Sequence, residues 1–222
     1  MAIINYLLNG GFKLKMSKRE FKLELWDYYY RSGYFTRFIE FLNKSYFVPL
    51  FIKEFNNIVK ADNLDILECG CGQGYMSSLL AKNNNVTALD ISDEALKITK
   101  FNLVNNYIDG NLVKGDIFNM PFKDNSFNVV WNQGVLEHFN PVNAIREMLR
   151  VTKDYVIIFL PAFLSPLQLS GIYKFIDDDI EFYKGKKFIE CMEKANCKNI
   201  KIKKLWKSFM FTNLYIARKG VD

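Results

Sequence analysis

The segment DILECGCGQG, residues 65–74, restricts the fold of this chain more than any other part of the sequence. Its apolar first half, which ends at Glu68, predicts a β-strand. Three alternating glycines follow: Gly70, Gly72 and Gly74. Glycines between a strand and a helix let the backbone turn tightly and approach a ligand, whose polar end meets free N–H groups at the start of the helix. Tyr75 stands where the dinucleotide fingerprint G-x-G-x-x-G requires glycine, which disfavours a nicotinamide dehydrogenase.

Strand and helix patterns alternate along the rest of the chain. Apolar strand patterns cover residues 85–90, 111–116, 127–133 and 154–161, and helical patterns cover residues 75–83, 92–106 and 141–152. Such alternation predicts a parallel sheet with helices on both faces. After a helix near residues 183–196, strands near residues 199–206 and 209–218 are joined by about two residues, which permits only an antiparallel hairpin. The predicted fold class is α/β, with a mostly parallel seven-stranded sheet and one antiparallel strand.

Length and composition are those of one globular domain. The chain has 222 residues, 50% of them hydrophobic, and no apolar run reaches the roughly 18 residues that a membrane helix needs. The N-terminus has no basic residue before its short apolar patch, which disfavours a signal peptide. Four cysteines are too few for a disulfide scaffold in a chain of this length. These features predict a soluble protein of the reducing cytoplasm.

The formal net charge of +6 is unevenly distributed. Residues 1–62 carry a net +4, residues 63–160 carry −3 and residues 161–222 carry +5. Basic ends are typical of proteins that bind nucleic acid or anionic lipid, and dispersed lysines are also typical of an ordinary solvated surface. The second interpretation is favoured because the lysines are spread along predicted strands and helices.

Polar residues follow the predicted strands at one edge of the sheet. Asp90 ends a strand, where its carboxylate can accept both hydroxyls of a ribose or, alternatively, cap the next helix. Asp116 ends the following strand and suits an adenine amino group, with Ile117 and Phe118 against the ring. Near the end of the fourth strand lie Asn132, Gln133, Glu137 and His138. Ligands bind at the carboxyl ends of strands in open α/β folds, so all these residues are site candidates.

Taken in order, these motifs resemble the class I S-adenosylmethionine-dependent methyltransferases, in particular the small-molecule group called type 11. The resemblance extends over residues 64–160 and, with the predicted antiparallel end of the sheet, to about residue 218. It implies a Rossmann-like, doubly wound sheet, the cofactor S-adenosylmethionine and the product S-adenosylhomocysteine. Glu68 and the glycine turn would hold the methionine part, Asp90 the ribose and Asp116 the adenine. The implied cofactor-binding residues are Glu68, Gly70, Gly72, Gly74, Asp90, Ile91, Asp116, Ile117, Asn132 and Gln133.

The resemblance also divides the chain into an N-terminal helical lid region, residues 1–62, and a methyltransferase domain, residues 63–222, within one domain overall. Residues 18–60 have a helical and strongly aromatic pattern, which Pro49 is expected to kink or break. Aromatic side chains at helical spacing are more often core than pocket. Both a lid over the cofactor and a helix packed permanently on the sheet are therefore open interpretations of this region.

Methyl transfer from a sulfonium is an in-line displacement, for which an enzyme mainly supplies alignment and a dry site. The acceptor is expected to be a small molecule, and the aromatic and aliphatic content of residues 161–182 favours a hydrophobic one. Glu137 and His138, the only histidine, are the candidate catalytic residues if the acceptor is a hydroxyl. A carboxylate acceptor needs no base, and His138 could equally stabilise its loop.

Two alternatives compete with a small-molecule methyltransferase. The basic ends favour an RNA or other nucleic-acid methyltransferase, but Asn132 is followed by Gln-Gly-Val, not by the Pro-Pro-aromatic sequence of base N-methyltransferases that flip a base. A non-catalytic methyltransferase-like binding subunit is disfavoured because Asp90 and Asp116 are both present. No metal site is expected, since Cys69 and Cys71 lack a partner pair.

Overall fold

The computed structural model describes residues 47–106, 108–162, 181–205 and 212–219, together with Glu24, Asp27 and Tyr30. The strands in these residues are β1 (Asp65–Cys69), β2 (Asn85–Asp90), β3 (Asn111–Lys114), β4 (Phe127–Gln133), β5 (Thr152–Pro161), β6 (Lys201–Leu205) and β7 (Thr212–Arg218). The helices are α1 (Val48–Ile58), α2 (Tyr75–Leu80), α3 (Asp93–Asn105), α4 (Pro141–Val151) and α5 (Gly185–Lys194), with a 3-10 turn at Leu136–His138. None of the helices in the described part of the chain is both long and apolar enough to cross a bilayer.

The strands form one sheet in the order β3-β2-β1-β4-β5-β7-β6. The first five strands pair in parallel, whereas β7 is antiparallel to both of its neighbours, β5 and β6. The prediction of a mostly parallel sheet with one antiparallel strand is confirmed. The strand order reverses between β1 and β4, so the topological switch point lies at the carboxyl ends of these two strands. The predicted two-residue connection before β7 falls in residues 206–211, outside the described residues.

Helix α1 packs its aromatic residues on one face of the sheet. Phe51 and Phe55, four residues apart, are buried against Trp131 and Phe159, and the contacting rings have centroids 4.6–6.3 Å apart. Pro49 stands in the first turn of α1, where its missing N–H costs no helical hydrogen bond. The break predicted at this proline is therefore the start of a helix, and the aromatic residues that follow it form core.

Helix α4 covers the opposite face. It begins after Asn140, whose side-chain oxygen accepts a hydrogen bond from the N–H of Val142 at 3.2 Å. Four residues at helical spacing are buried in the same cluster as Val130 of β4: Ala144, Ile145, Met148 and Val151. Val130 and Trp131 are adjacent in a strand and point to opposite faces, so the two helices enclose the sheet between separate clusters.

Helix α2 and strand β3 end earlier in the structure than the sequence predicts. Helix α2 ends at Leu80 instead of residue 83, and β3 ends at Lys114 instead of residue 116. Asp116 therefore does not end a strand. Its side-chain oxygen accepts a hydrogen bond from the N–H of Phe118 at 3.0 Å. This Asx turn directs the chain away from the neighbouring strand β2, with which β3 pairs up to Lys114.

Candidate functional site

A cavity of about 280 Å³ lies at the carboxyl ends of β1, β2 and β4. The predicted site residues that line it are Glu68, Gly70, Gly72, Gly74, Asp90, Ile91, Asp116, Ile117, Gln133 and His138. Asn132 and Glu137 are the two predicted residues outside this lining. The topology thus brings segments that are up to about seventy residues apart in the sequence into one site, as expected at the switch point of an open α/β sheet.

The turn between β1 and α2 has the tight backbone conformation that its three glycines predict. Its three glycines have positive φ angles: Gly70 at 75°, Gly72 at 53° and Gly74 at 68°. A Cβ atom on Gly70 would lie 2.2 Å from Cγ2 of Val135, and one on Gly74 would lie 2.4 Å from Cγ2 of Thr99. Any side chain at these two positions would strain the backbone and displace a neighbouring residue. We refer to residues 70–74 below as the glycine turn.

Glu68 lies near the carboxyl end of β1, and its side chain is buried. The hydroxyl of Ser77 donates a hydrogen bond to this carboxyl group. Burial raises the pKa of Glu68 to about 8, and repulsion from Asp90 adds to the rise, while the hydrogen bonds from Ser77 oppose it. A cation placed beside Glu68 would favour the ionised form, so this residue is suited to an ammonium group.

Asp90 connects the glycine turn to the start of α3. One carboxylate oxygen accepts from the N–H of Gly72 at 2.9 Å, and the other accepts from the N–H of Ser92 at 3.0 Å. Burial raises the pKa of Asp90, and these backbone hydrogen bonds oppose the rise. The side-chain N-cap of α3 is Ser92, whose hydroxyl oxygen accepts from the N–H of Ala95 at 3.1 Å. The helix cap considered for Asp90 is therefore supplied by another residue, and Asp90 faces the cavity.

The end of β4 separates two residues that the sequence placed together. Gln133 lines the cavity, but Asn132 is fully buried, and its side-chain nitrogen donates to the carbonyl oxygen of Cys69 at 2.6 Å. Asn132 thus links the ends of the neighbouring strands β1 and β4. Its prediction as a lining residue does not match its place in the structure, because alternate side chains of a strand point to opposite sides.

The 3-10 turn after β4 likewise separates the two candidate catalytic residues. His138 is 7% exposed and lines the cavity. Glu137 is also buried but lies outside the lining, and its backbone carbonyl accepts from the N–H of Glu181 at 2.8 Å. The short turn follows Gly134, which has a φ of 74°, and only His138 is brought to the cavity.

Several lining residues were not anticipated from the sequence, including Phe139 and Val135. The ring of Phe139 is perpendicular to that of Phe118, with centroids 5.5 Å apart and an interplanar angle of 89°. Both follow strand ends, which was the available signal, but strand patterns do not show which loop side chains turn inward. By contrast, Tyr30 lies in the N-terminal region for which the resemblance implies a lid, and it does line the cavity. Its hydroxyl oxygen lies 2.8 Å from where a Cβ of Gly72 would stand.

The two cysteines near the site are packed inside the protein. Cys69 Sγ lies 3.7 Å from Sδ of Met120, and Cys71 Sγ lies 3.4 Å from Oγ1 of Thr99. Burial raises the pKa of both thiols. Among the described residues, no group of three histidine, cysteine or acidic side chains is arranged to hold a metal ion.

Comparison with known proteins identifies the domain around this cavity. Residues 67–160 match the family model described as "Methyltransferase domain". Residues 67–160 therefore form a class I S-adenosylmethionine-dependent methyltransferase domain. It falls in the type 11 group, and its cofactor is S-adenosylmethionine. The family, the Rossmann-like fold and the cofactor that the motifs implied are confirmed.

Two curated methyltransferases each match just under two thirds of this chain. The malonyl-(acyl-carrier protein) O-methyltransferase of Buchnera aphidicola subsp. Baizongia pistaciae is 32% identical over 144 residues, which are 63% of this chain and 56% of the relative. The 2-methyl-6-phytyl-1,4-hydroquinone methyltransferase 1 of Oryza sativa subsp. japonica is 28% identical over 146 residues, which are 64% of this chain and 43% of the relative. The chain thus spans about half the length of these curated relatives.

A solved structure shows the same fold over most of the chain. Magnesium protoporphyrin IX methyltransferase from Synechocystis PCC 6803, with bound S-adenosylhomocysteine, matches 89% of this chain and 98% of its own, with a TM-score of 0.69. The two sequences are 16% identical over this match. The sheet and its surrounding helices are therefore shared, while the acceptor has to be inferred from this chain's own residues.

Proposed function

We propose that this methyltransferase transfers the methyl group of S-adenosylmethionine, by in-line displacement, to a hydroxyl group of a hydrophobic small molecule. The observation that carries the proposal is the composition of the cavity wall. Three carboxyl groups line it, those of Glu68, Asp90 and Asp116. Phe118, His138 and Phe139 form a second cluster in the same wall. This wall suits a cationic nucleoside cofactor beside an apolar acceptor whose hydroxyl meets a base.

The residues present fit the cofactor in charge and in shape. The glycine turn permits close approach of the methionine part, and the carboxyl group of Glu68 suits its ammonium group. Asp90 suits the ribose hydroxyls, and Asp116 with Ile117 suits the adenine. When bound, the cofactor supplies a methyl group on a positively charged sulfur. The protein then needs to align the acceptor and exclude water.

Aromatic side chains support a hydrophobic acceptor. The perpendicular pair of Phe118 and Phe139 offers an apolar surface against which a ring or an alkyl chain can pack. The carbonyl oxygen of Phe139 accepts from the hydroxyl of Tyr183 at 3.3 Å, so this edge of the cavity is held in place. The rice relative acts, by its name, on a hydroquinone with a phytyl chain, which combines a hydroxyl with an apolar body.

His138 is the proposed general base. It lines the cavity directly before Phe139, whereas Glu137 lies outside the lining. In this proposal, a ring nitrogen of His138 takes the proton from the acceptor hydroxyl while the oxygen forms its bond to the methyl group. The bond from the methyl carbon to sulfur breaks in the same step, and the sulfur leaves as a neutral thioether.

Calorimetry tests the cofactor site. We expect S-adenosylmethionine and S-adenosylhomocysteine to bind with dissociation constants on the order of 1 µM, and NAD to bind much more weakly. Because the pKa of Glu68 is about 8 without ligand, its carboxyl group is largely protonated at pH 7. A bound ammonium group lowers this pKa and releases the proton. Binding should therefore be more exothermic in Tris, which takes up protons exothermically, than in phosphate.

A Glu68→Gln variant is the control for this proton release, since glutamine does not titrate. The heats in the two buffers should then become equal. If the folded protein shows no heat of binding with S-adenosylmethionine and none with S-adenosylhomocysteine, the proposed cofactor site is wrong. Equal heats for the unmodified protein in both buffers would contradict only the pairing of Glu68 with the ammonium group.

Methyl transfer from radiolabelled S-adenosylmethionine tests the acceptor class and the base. We expect label in a long-chain alkyl hydroquinone, and none in a long-chain fatty acid or in transfer RNA. His138→Asn should lower kcat about 100-fold and leave the dissociation constant of S-adenosylhomocysteine unchanged. Labelling of the fatty acid, with no effect of His138→Asn, would indicate a carboxylate acceptor. Loss of activity in Glu137→Gln alone would assign the base to Glu137.

Exposed lysines on α5 and β6 favour a nucleic-acid acceptor as the second candidate. Lys184 and Lys186 at the start of α5 are exposed, as are Lys201 and Lys204 on the terminal strand of the sheet. Such a surface suits a phosphate backbone. Label in transfer RNA, in the same assay, would support this candidate instead. Cofactor binding with no label in any acceptor would favour a non-catalytic binding subunit.

A further inference from the structure

Two polar side chains of α3 form hydrogen bonds to the back of the glycine turn. Oγ1 of Thr99 donates to the carbonyl oxygen of Gly72 at 3.0 Å. The side-chain nitrogen of Asn102 donates to the carbonyl oxygen of Gln73 at 2.7 Å. Residues three apart on a helix share one face, so a single face of α3 holds two successive peptide groups of the turn.

The same face of α3 also occupies the space behind the turn. Thr99 is fully buried, and its methyl carbon lies 2.4 Å from where a Cβ of Gly74 would stand. The described residues of α3 are not part of the cavity lining, whereas all five residues of the glycine turn are. Thr99 and Asn102 therefore act on a ligand in the cavity only through the turn.

These hydrogen bonds set the direction of the peptide groups. In a trans peptide the C=O and the following N–H point in opposite directions. Because the carbonyl of Gly72 is directed at α3, the N–H of Gln73 is directed away from α3. Gln73 is one of the residues that line the cavity. The hydroxyl of Thr99 thus controls the direction of a backbone donor at the ligand site.

The neighbouring carbonyl groups of the turn are held in the same way by protein donors. The carbonyl of Cys71 accepts from the N–H of Gly74 at 2.8 Å, and the carbonyl of Gly74 accepts from the N–H of Ser78 at 2.9 Å. Together with Thr99 and Asn102, these contacts engage four successive carbonyl oxygens. The contacts to the carbonyl oxygens of Cys71 and Gly74 lie within the turn and α2, and Asp90 accepts from the N–H of Gly72. The two carbonyl oxygens in the middle of the turn accept from side chains of α3.

We propose that Thr99 and Asn102 are positioning residues that hold the glycine turn in its cofactor-binding conformation, with the N–H of Gln73 presented to the carboxylate of the methionine part. The inference rests on the proposed placement of the cofactor. Glycines have wide conformational freedom, so without the two hydrogen bonds the turn populates other conformations. The apparent dissociation constant then rises in inverse proportion to the fraction of molecules whose glycine turn is in the binding conformation.

Two substitutions at Thr99 separate positioning from packing. Thr99→Val keeps the shape of the side chain and removes the donor, whereas Thr99→Ser keeps the donor and removes the methyl group beside Gly74. We expect Thr99→Val to raise the dissociation constant of S-adenosylhomocysteine about tenfold, and Thr99→Ser to keep it within about twofold. Thr99→Ser should lower the unfolding temperature, because it leaves a small cavity.

Asn102→Ala and Asn105→Ala are a matched pair on the same helix. Asn102→Ala removes the donor to Gln73 and should raise the dissociation constant about fivefold. Asn105 is exposed and forms no hydrogen bond with the described residues of the turn, so Asn105→Ala should leave binding unchanged. An unchanged dissociation constant in Thr99→Val, or an equal loss in Thr99→Ser, would overturn the proposal in favour of a purely structural role.

Amide hydrogen exchange in the unliganded protein is a readout independent of the cofactor. Amides of residues 70–75 should exchange faster in Thr99→Val and Asn102→Ala than in the unmodified protein, and at the unmodified rate in Asn105→Ala. If the unmodified protein fails to bind S-adenosylhomocysteine, the cofactor site is wrong, and exchange still decides whether α3 holds the turn. Unchanged exchange in both Thr99→Val and Asn102→Ala would overturn the proposal.

Discussion

Replacing Asp90 with alanine is expected to weaken the binding of S-adenosylhomocysteine by at least about 100-fold in a protein that stays folded. In the proposed complex its carboxylate accepts two hydrogen bonds from the ribose, each worth about 1.5–3 kcal/mol. Loss of 3 kcal/mol or more corresponds to a factor above about 100 in the dissociation constant. The same carboxylate accepts from the N–H groups of Gly72 and Ser92, so the turn also loses an anchor. Calorimetry together with circular dichroism measures both effects.

Asp93→Ala is the matched control for this variant. Asp93 lies in the first turn of α3, is exposed and pairs with Lys114 on the surface. Its substitution should leave cofactor binding unchanged. If Asp90→Ala unfolds, Asp90→Asn retains one side-chain oxygen as an acceptor and should still weaken binding about tenfold. Normal binding by a folded Asp90→Asn protein would rule out the ribose assignment.

Deleting residues 1–33 is expected to leave a folded protein that retains S-adenosylhomocysteine poorly and no longer transfers methyl groups. Tyr30 lines the cavity, and Asp27 accepts a hydrogen bond from the hydroxyl of Ser92 at the start of α3. The first contact joins the N-terminal segment to the cavity, and the second joins it to the residue that follows Ile91 of the cavity wall, as a lid requires. The aromatic core contributed by α1 begins at Phe47 and is retained in the truncated protein. A lid keeps water from the methyl donor while the acceptor is aligned.

A shorter deletion provides the control. Removal of residues 1–23 keeps Asp27 and Tyr30, so this protein should bind the cofactor product normally. Thermal unfolding, calorimetry and methyl transfer are compared for the two truncations. Loss of the folded state on deletion of residues 1–33 would indicate a helix that packs permanently on the sheet. Unchanged binding by a folded protein without residues 1–33 would exclude the lid.

Much of the fold could be predicted because its signals are local. The apolar run FNVVWNQ corresponds to β4. Ser92 is the N-cap of α3, and the acidic residues Asp93 and Glu94 follow it in a pattern typical of a helix start. A positive φ angle is a property of single residues, which is why three alternating glycines predict the turn after β1. The carboxyl edge of the sheet follows from strand direction alone. Most candidate cofactor residues are therefore found at the cavity.

Local signals fail where a side chain's direction depends on a distant contact. Asn132 and Gln133 are adjacent in the sequence, and pairing of β4 with β1 buries the first against Cys69 and leaves the second at the cavity. Glu137 and His138 are also adjacent in the sequence, but the short 3-10 turn that contains them brings only His138 to the cavity. Asp116 leaves its strand early because its own side chain accepts from the N–H of Phe118.

The sequence by itself determined the directions of the strands, the glycine turn and the acids beside it. Backbone freedom, strand period and helix capping each act over a few residues, so they can be recognised from the sequence. Tertiary structure alone decided which of these groups meet. Thr99 and Asn102 reach the glycine turn from 27 and 29 residues away. Phe118 and Phe139 form one aromatic pair across two loops. Such contacts depend on how helices and loops pack on the sheet, and the spacing of residues along the chain carries no record of that packing.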